Sequence, residues 1–185
     1  MTTSRCAWVS DDPLYQAYHD EEWGRPVHDA EALFGLLCLE GQQAGLSWIT
    51  VLRKRAHYMA CFYDFMPEKV AAMTEADVER LVLDAGLIRH RGKIQAIIGN
   101  ARAYLAMQAA GEDFADFVWG FAAPEGAPVR RTMAEVPAST EASDALAKAL
   151  KKRGFKFVGS TICYAFMQAA GLVNDHHQPC YLAGS

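Results

Sequence analysis

The sequence predicts an all-helical fold. Three observations carry this: alanine is abundant, β-branched runs are few, and no segment alternates convincingly as a strand. The 185 residues are enough for one good core, or for two small lobes sharing a cleft. With 51% hydrophobic and 22% charged residues, the composition is that of an ordinary globular chain. No apolar run reaches the ~18–20 residues of a membrane helix, so no membrane partner is expected. The stretch Met1–Arg5 lacks the apolar segment of a secretory leader, and the expected location is the cytoplasm. Five cysteines, an odd number in that compartment, point to thiols or metal ligands rather than a disulfide framework.

Each helix has its own signal. Asp11-Asp12-Pro13 reads as a helix start with proline in the first turn, which puts Tyr15 and Tyr18 on one face. Trp23-Gly24-Arg25-Pro26 is a loop. Helical periodicity resumes at Ala30, and a long helix is expected over Leu46–Phe62. Thr74 with Asp77 forms a near capping box and opens a helix running through Leu83. Gly86 to Gly92 interrupts it. From Lys93 a second helix carries the apolar stripe Ile94, Ile97, Ile98, Ala101 and Leu105. Residues 121–138, with three prolines, read as a loop or linker. Ser143 is expected to cap a helix Asp144–Arg153 that stops at Gly154. The last helix begins at Gly159-Ser160, is apolar almost all round and so should be buried, and ends at Gly171.

The run Leu39-Glu40-Gly41-Gln42-Gln43-Ala44-Gly45-Leu46-Ser47-Trp48 is a polar island between apolar flanks. An unpaired buried carboxylate costs several kcal/mol, so Glu40 needs a reason to be there. Two arrangements are open. One continuous helix would bring Glu40 and Trp48 to similar faces. A break at Gly41 or Gly45 would let them meet across a helix–helix corner. Either way a carboxylate and a large flat ring can line one pocket. The plain alternative is a Glu40 that caps a helix or pairs with an arginine.

Three further constellations stand out. Cys6 and His19 are separated by 12 residues, and His176 and Cys180 by three. Two thiolates and two imidazoles make a closed tetrahedral zinc shell of the structural type, and here it would clip the two ends of the chain together. His177 could stand in for His176, and the set could also be ordinary thiols and histidines. Second, two helices joined by a short glycine-bearing connector at 86–92, followed by bases, present N–H groups and a helix N-terminus that suit a phosphate. A plain helical hairpin is the alternative. Third, Trp8, Tyr15, Tyr18 and Trp48 supply flat apolar walls of the kind a flipped base needs, although such rings are more often core.

Charge distribution is compatible with a polyanion. The net charge is −4. Residues 1–40 hold eight acids and two bases, whereas 41–185 hold 14 acids and 16 bases. Arg89, Arg91, Lys93 and Arg102 lie in 86–102 with no acid among them, and five bases lie in 148–156. Solvated helix faces would look the same.

Taken jointly, these residues resemble one family: bacterial 3-methyladenine DNA glycosylase I, a branch of the helix–hairpin–helix glycosylases. The matching segments are Cys6-Ala7-Trp8, Asp12-Pro13-Leu14-Tyr15, Tyr18 to Gly24, Leu39 to Trp48, Ile88 to Ile94, Lys156 to Gly159, and Gly171 to His176. The Glu40–Trp48 run is the most specific. The resemblance implies one glycosylase domain over 1–185, with two helical lobes and a helix–hairpin–helix at about 75–107. It implies hydrolysis of the N-glycosidic bond of 3-methyladenine in double-stranded DNA, with free base as product, by a monomer. Carried over by position, Glu40 is the catalytic residue, and Trp8, Tyr15, Tyr18 and Trp48 bind the base. Gly86, Arg89, Arg91, Gly92 and Lys93 face DNA. Cys6, His19, His176 and Cys180 hold a structural zinc ion.

Three rival readings compete. Lys93 could be the Schiff-base nucleophile of a glycosylase with lyase activity. The chain could be a DNA-binding module without catalysis. A zinc hydrolase of small molecules would need an open metal position, which a four-ligand shell does not offer.

Overall fold

A computed structural model describes residues 3–185, and every regular element among them is helical. Met1 and Thr2, the start of the stretch read for a leader, lie outside the described residues. Nine α-helices occur among the described residues: α1 Pro13–Glu21, α2 Ala30–Gln42, α3 Trp48–Cys61, α4 Pro67–Ala71, α5 Glu75–Leu81, α6 Arg91–Ala109, α7 Phe114–Trp119, α8 Glu141–Lys152 and α9 Ser160–Ala169. None of these helices is long and apolar enough to cross a membrane.

Most starts follow the local chemistry. Asp12 accepts from the Leu14 N–H and Pro13 fills the first turn of α1. Thr74 and Asp77 form the expected capping box on α5. Two starts differ. Thr140, not Ser143, caps α8, and Ser143 sits three residues inside as the reciprocal partner of its box. α6 begins at Arg91, two residues before Lys93, because the His90 imidazole accepts from the Lys93 N–H. The short helices α4 and α7 carry too few turns to show a period in sequence.

α2 is the central element. It packs against α3, α6, α7 and α9, and its run from Leu37 to Gln42 is buried throughout. A helix buried on nearly every side explains the apolar flanks of the polar island. α4 lies along α6 and α8 along α9. One continuous apolar cluster joins them, with Phe34, Tyr58, Phe62, Ile94, Ile97 and Phe166 among its fully buried members. Gly171 closes α9 with φ +77°, and a Cβ there would lie 2.6 Å from the Pro26 nitrogen, so both conformation and space require glycine. That contact docks the 23–27 loop against the end of α9.

Candidate functional site

α2 stops at Gln42 and α3 starts at Trp48, so Glu40 and Trp48 meet across a corner rather than along one helix. Gly45, with φ +79°, makes the turn. The two residues share a cavity of about 190 Å³ with Trp8, Tyr15, Tyr18 and Gln43. That is below the about 300–1,000 Å³ of sites for drug-sized molecules, and it suits one small flat ligand. The aromatic walls form a connected chain of rings. Trp8 lies 5.1 Å from Tyr15, 6.5 Å from Tyr18 and 5.0 Å from Trp23, and Tyr18 lies 5.6 Å from Trp48.

Two polar groups in this cavity have no protein partner. Trp48 Nε1 is buried and makes no hydrogen bond among the described residues. Glu40 is 3% exposed, and burial alone pushes its carboxyl up to about 8, with no cation close enough to offset it. The plain alternative of a capping or arginine-paired Glu40 therefore does not hold. Burial and the nearby Glu40 carboxylate also push the Tyr15 and Tyr18 phenols up. An unpartnered donor and an unpartnered acid, each costing on the order of 1–3 kcal/mol, are tolerated where a ligand completes them.

The opposite wall comes from distant parts of the chain. Met133 and Val136 reach in from the loop read as a linker, Ala165 and Gln168 from α9, and Asp175 from the tail. Asp175 is buried, and its carboxylate accepts from the Tyr164 hydroxyl, from Gln168 Nε2 at 3.0 Å and from Arg130 Nε at 3.4 Å. Sequence reasoning passed over all five. Asp175 had one signal, its place in the Gly171–His176 segment; Met133 and Val136 had none.

Behind Trp8 and Trp23, ligand atoms of Cys6, His19, His176 and Cys180 all lie within 4.8 Å of one another, and all four residues are buried. Cys6 Sγ is 3.6 Å from His176 Nδ1, and Cys180 Sγ is 3.5 Å from His19 Nε2 and 3.8 Å from His176 Nδ1. A tetrahedral ion with Zn–S about 2.3 Å and Zn–N about 2.0 Å sets its sulfur and nitrogen ligands about 3.6 Å apart. The donors fit that shell. His177 does not join them: its Nε2 accepts from the Ala7 N–H at 3.2 Å. Each imidazole is fixed through its other nitrogen, His176 Nε2 on the Trp23 carbonyl at 3.1 Å and His19 Nδ1 on Asp20 at 2.8 Å. The Arg5 guanidinium grips Asp20 and holds its carboxyl down at about 2.

The residues expected to face DNA do not behave alike. α5 ends at Leu81, short of the expected Leu83, and the connector 82–90 joins it to α6. Arg89 is exposed and makes none of the ion pairs found among the described residues. Arg91 is paired with Glu79 at 2.5 Å and Glu75 at 3.3 Å. Gly86 packs on the His57 ring, and Gly92 lies in the first turn of α6. Lys93 turns inward. It is 5% exposed, and its ammonium donates to the carbonyls of Gln42 at 3.0 Å and Ala44 at 2.6 Å. Buried and spent on two carbonyls, it is not an exposed ammonium of the kind a phosphate contact or a Schiff-base nucleophile requires. Arg102 likewise is spent on the carbonyls of Ala71 and Met73.

A family model described as methyladenine glycosylase matches residues 8–183. The chain is 69% identical to DNA-3-methyladenine glycosylase 1 of Escherichia coli (strain K12), over 95% of each chain. Among solved structures, the crystal structure of 3-methyladenine DNA glycosylase I superposes with a TM-score of 0.93 at 65% identity, covering 97% of this chain and 99% of that one. A tyrosine-to-phenylalanine form of a 3-methyladenine DNA glycosylase I in complex with 3-methyladenine superposes with a TM-score of 0.88 at 41% identity, over 96% of both chains.

Proposed function

The chain belongs to the methyladenine glycosylase family, and on that premise we propose that it hydrolyses the N-glycosidic bond of 3-methyladenine in double-stranded DNA, leaving an abasic site for base excision repair. We read it as a single glycosylase domain acting in the cytoplasm as a monomer. The observation that carries the reading is the pair of unpartnered polar groups, Glu40 and Trp48 Nε1, in a cavity walled by Trp8, Tyr15 and Tyr18.

Methylation at N3 makes the adenine in DNA a cation and a good leaving group. When the C1′–N9 bond breaks, its electron pair goes to the base, which departs neutral, while the sugar becomes oxocarbenium-like and takes up water, whose proton is lost to solvent. The enzyme has mainly to select the cationic base. Electron-rich ring faces favour a cation by about 2 kcal/mol when desolvated, a preference that neutral adenine does not share. Glu40 adds to the discrimination. Burial keeps its carboxyl protonated near neutrality, and a cationic ring beside it favours the carboxylate. The ionised group then accepts from the base edge in a water-poor site, where such bonds are strong. Specificity therefore comes from the base charge, which is read inside the pocket.

Outside the pocket, we place Arg89 and Gly92 of a helix–hairpin–helix against a phosphate backbone, whereas the Gly86 N–H is already taken by Asp84. Contacts of this kind fix register on DNA without reading sequence. Arg91 would have to leave Glu79 to join them, and Lys93 supports them from inside. Zinc on Cys6, His19, His176 and Cys180 would supply no chemistry to the reaction. It would hold the wall that carries Trp8 and Trp23.

Incubation with methylated duplex DNA and chromatography of the freed bases tests this function. Release of 3-methyladenine with little 7-methylguanine is the expected result. No release by folded, metal-loaded protein would sink it.

A further inference from the structure

A second cluster of ligand-type side chains lies away from the pocket. His57 and Cys61 stand one turn apart on the same face of α3, and Asp84 faces them from the connector after α5. One ligand atom of each lies within 4.8 Å of the other two. His57 Nε2 is 2.7 Å from Asp84 Oδ2, and Cys61 Sγ is 3.8 Å from the same oxygen. We propose that His57, Cys61 and Asp84 form a second metal site, open to solvent, for a divalent ion of zinc-like or softer character.

The donor set selects the ion. A thiolate with an imidazole and one carboxylate favours Zn²⁺ or Cd²⁺, while Mg²⁺ and Ca²⁺ need an oxygen shell. Three protein ligands leave a fourth position for water, which is the open arrangement rather than the closed one behind Trp8. Tetrahedral coordination needs nitrogen and oxygen ligands about 3.3 Å apart, so His57 and Asp84 must separate by roughly half an ångström. Their side chains are 46% and 31% exposed, which leaves solvent-side room for that shift.

The outer support is already present. Asp84 Oδ1 accepts from the Gly86 N–H at 2.8 Å, which aims Oδ2 at the cluster. Gly86 leaves room for the His57 ring, since a Cβ there would lie 2.4 Å from His57 Cδ2. Coordination replaces the Cys61 thiol proton, which goes to solvent. The thiolate and carboxylate then cancel the charge of the ion. The site lies at the base of the connector that carries Arg89, so a bound ion would tie α3 to that connector. The proposal does not rest on the glycosylase reading.

Cys61 is the one cysteine not buried, so its alkylation reports this site alone. Protein carrying its purified metal content is treated with iodoacetamide, and the Cys61 peptide is followed by mass spectrometry. A small excess of Zn²⁺ or Cd²⁺ is expected to slow the reaction at least tenfold, and Mg²⁺ to leave it unchanged. His57→Ala, at an exposed helix position, should abolish the protection. Asp84→Asn, whose side-chain oxygen can still accept from Gly86, should weaken it. No protection of wild type, or equal protection of His57→Ala, overturns the proposal.

Discussion

The Lys93 ammonium donates to the Gln42 carbonyl at 3.0 Å, two residues beyond Glu40 in the chain. Gln42 in turn donates from Nε2 to the Lys93 carbonyl at 3.1 Å and accepts from the Tyr58 hydroxyl at 3.0 Å, and that hydroxyl accepts from the Ile88 N–H. A single buried network thus joins the end of α2 to the connector and to the start of α6. That network ties the pocket to the surface proposed to face DNA.

Lys93→Met keeps the stem but leaves two carbonyls without their charged donor. It should lower stability by about 2–4 kcal/mol, seen as a lower midpoint in urea with an unchanged slope. Borohydride treatment of wild type with abasic DNA should trap no covalent adduct. A trapped adduct lost in Lys93→Met would restore the nucleophile role.

Glu40→Gln should raise stability at neutral pH while removing function. The folded-state value of about 8 lies above the ordinary 4.5. The folded chain therefore holds a proton that the unfolded chain has lost, and stability is full below about 4.5 and falls as pH rises toward 8. The loss is on the order of 4 kcal/mol across that window. Thermal melts from pH 5 to 8 should show a slope in wild type that is largely flattened in Glu40→Gln. Parallel slopes would mean that the carboxyl is not buried as described.

The purified protein should contain one firmly held zinc ion per chain at the Cys6, His19, His176 and Cys180 shell. Stripping it should lower the melting temperature by roughly ten degrees, since several kcal/mol of folding energy reside in such a shell. Cys180→Ser should lose the ion, and His177→Ala should keep it. Protein without metal whose folding ignores chelators would contradict the assignment.

Arg89→Ala should weaken binding to duplexes of any sequence and reduce the salt slope by about 1, because one phosphate contact is lost. Arg91→Ala should do less, since its guanidinium is held by Glu79 and Glu75. The reverse order, measured by titration at several salt concentrations, would show that Arg91 leaves its partners on DNA.

The legible parts of the chain were those where local chemistry is unusual. Glu40 stood out because a carboxylate between buried flanks is expensive, and the structure keeps it buried and unpaired. The four ligand residues could be named from type and spacing, with His177 left open by spacing alone; the resemblance favours His176, and the course of the tail turns that ring toward Cys6 while His177 meets the Ala7 N–H. Lys93 misled because a lysine in a basic run reads the same whether it points out or in. Met133 and Val136 were invisible for a similar reason: a proline-rich loop carries no period, and its position over the pocket is set by residues far away in sequence.

Glu40 does its work on the cationic base inside the pocket. The most direct test is the single-turnover rate of 3-methyladenine release from methylated duplex DNA, for wild type and Glu40→Gln, with both proteins shown to be folded. Wild type should release the base, and Glu40→Gln should do so at a rate at least tenfold lower, with duplex binding little changed. Equal rates would contradict that role and leave Glu40 a buried acid with no part in catalysis.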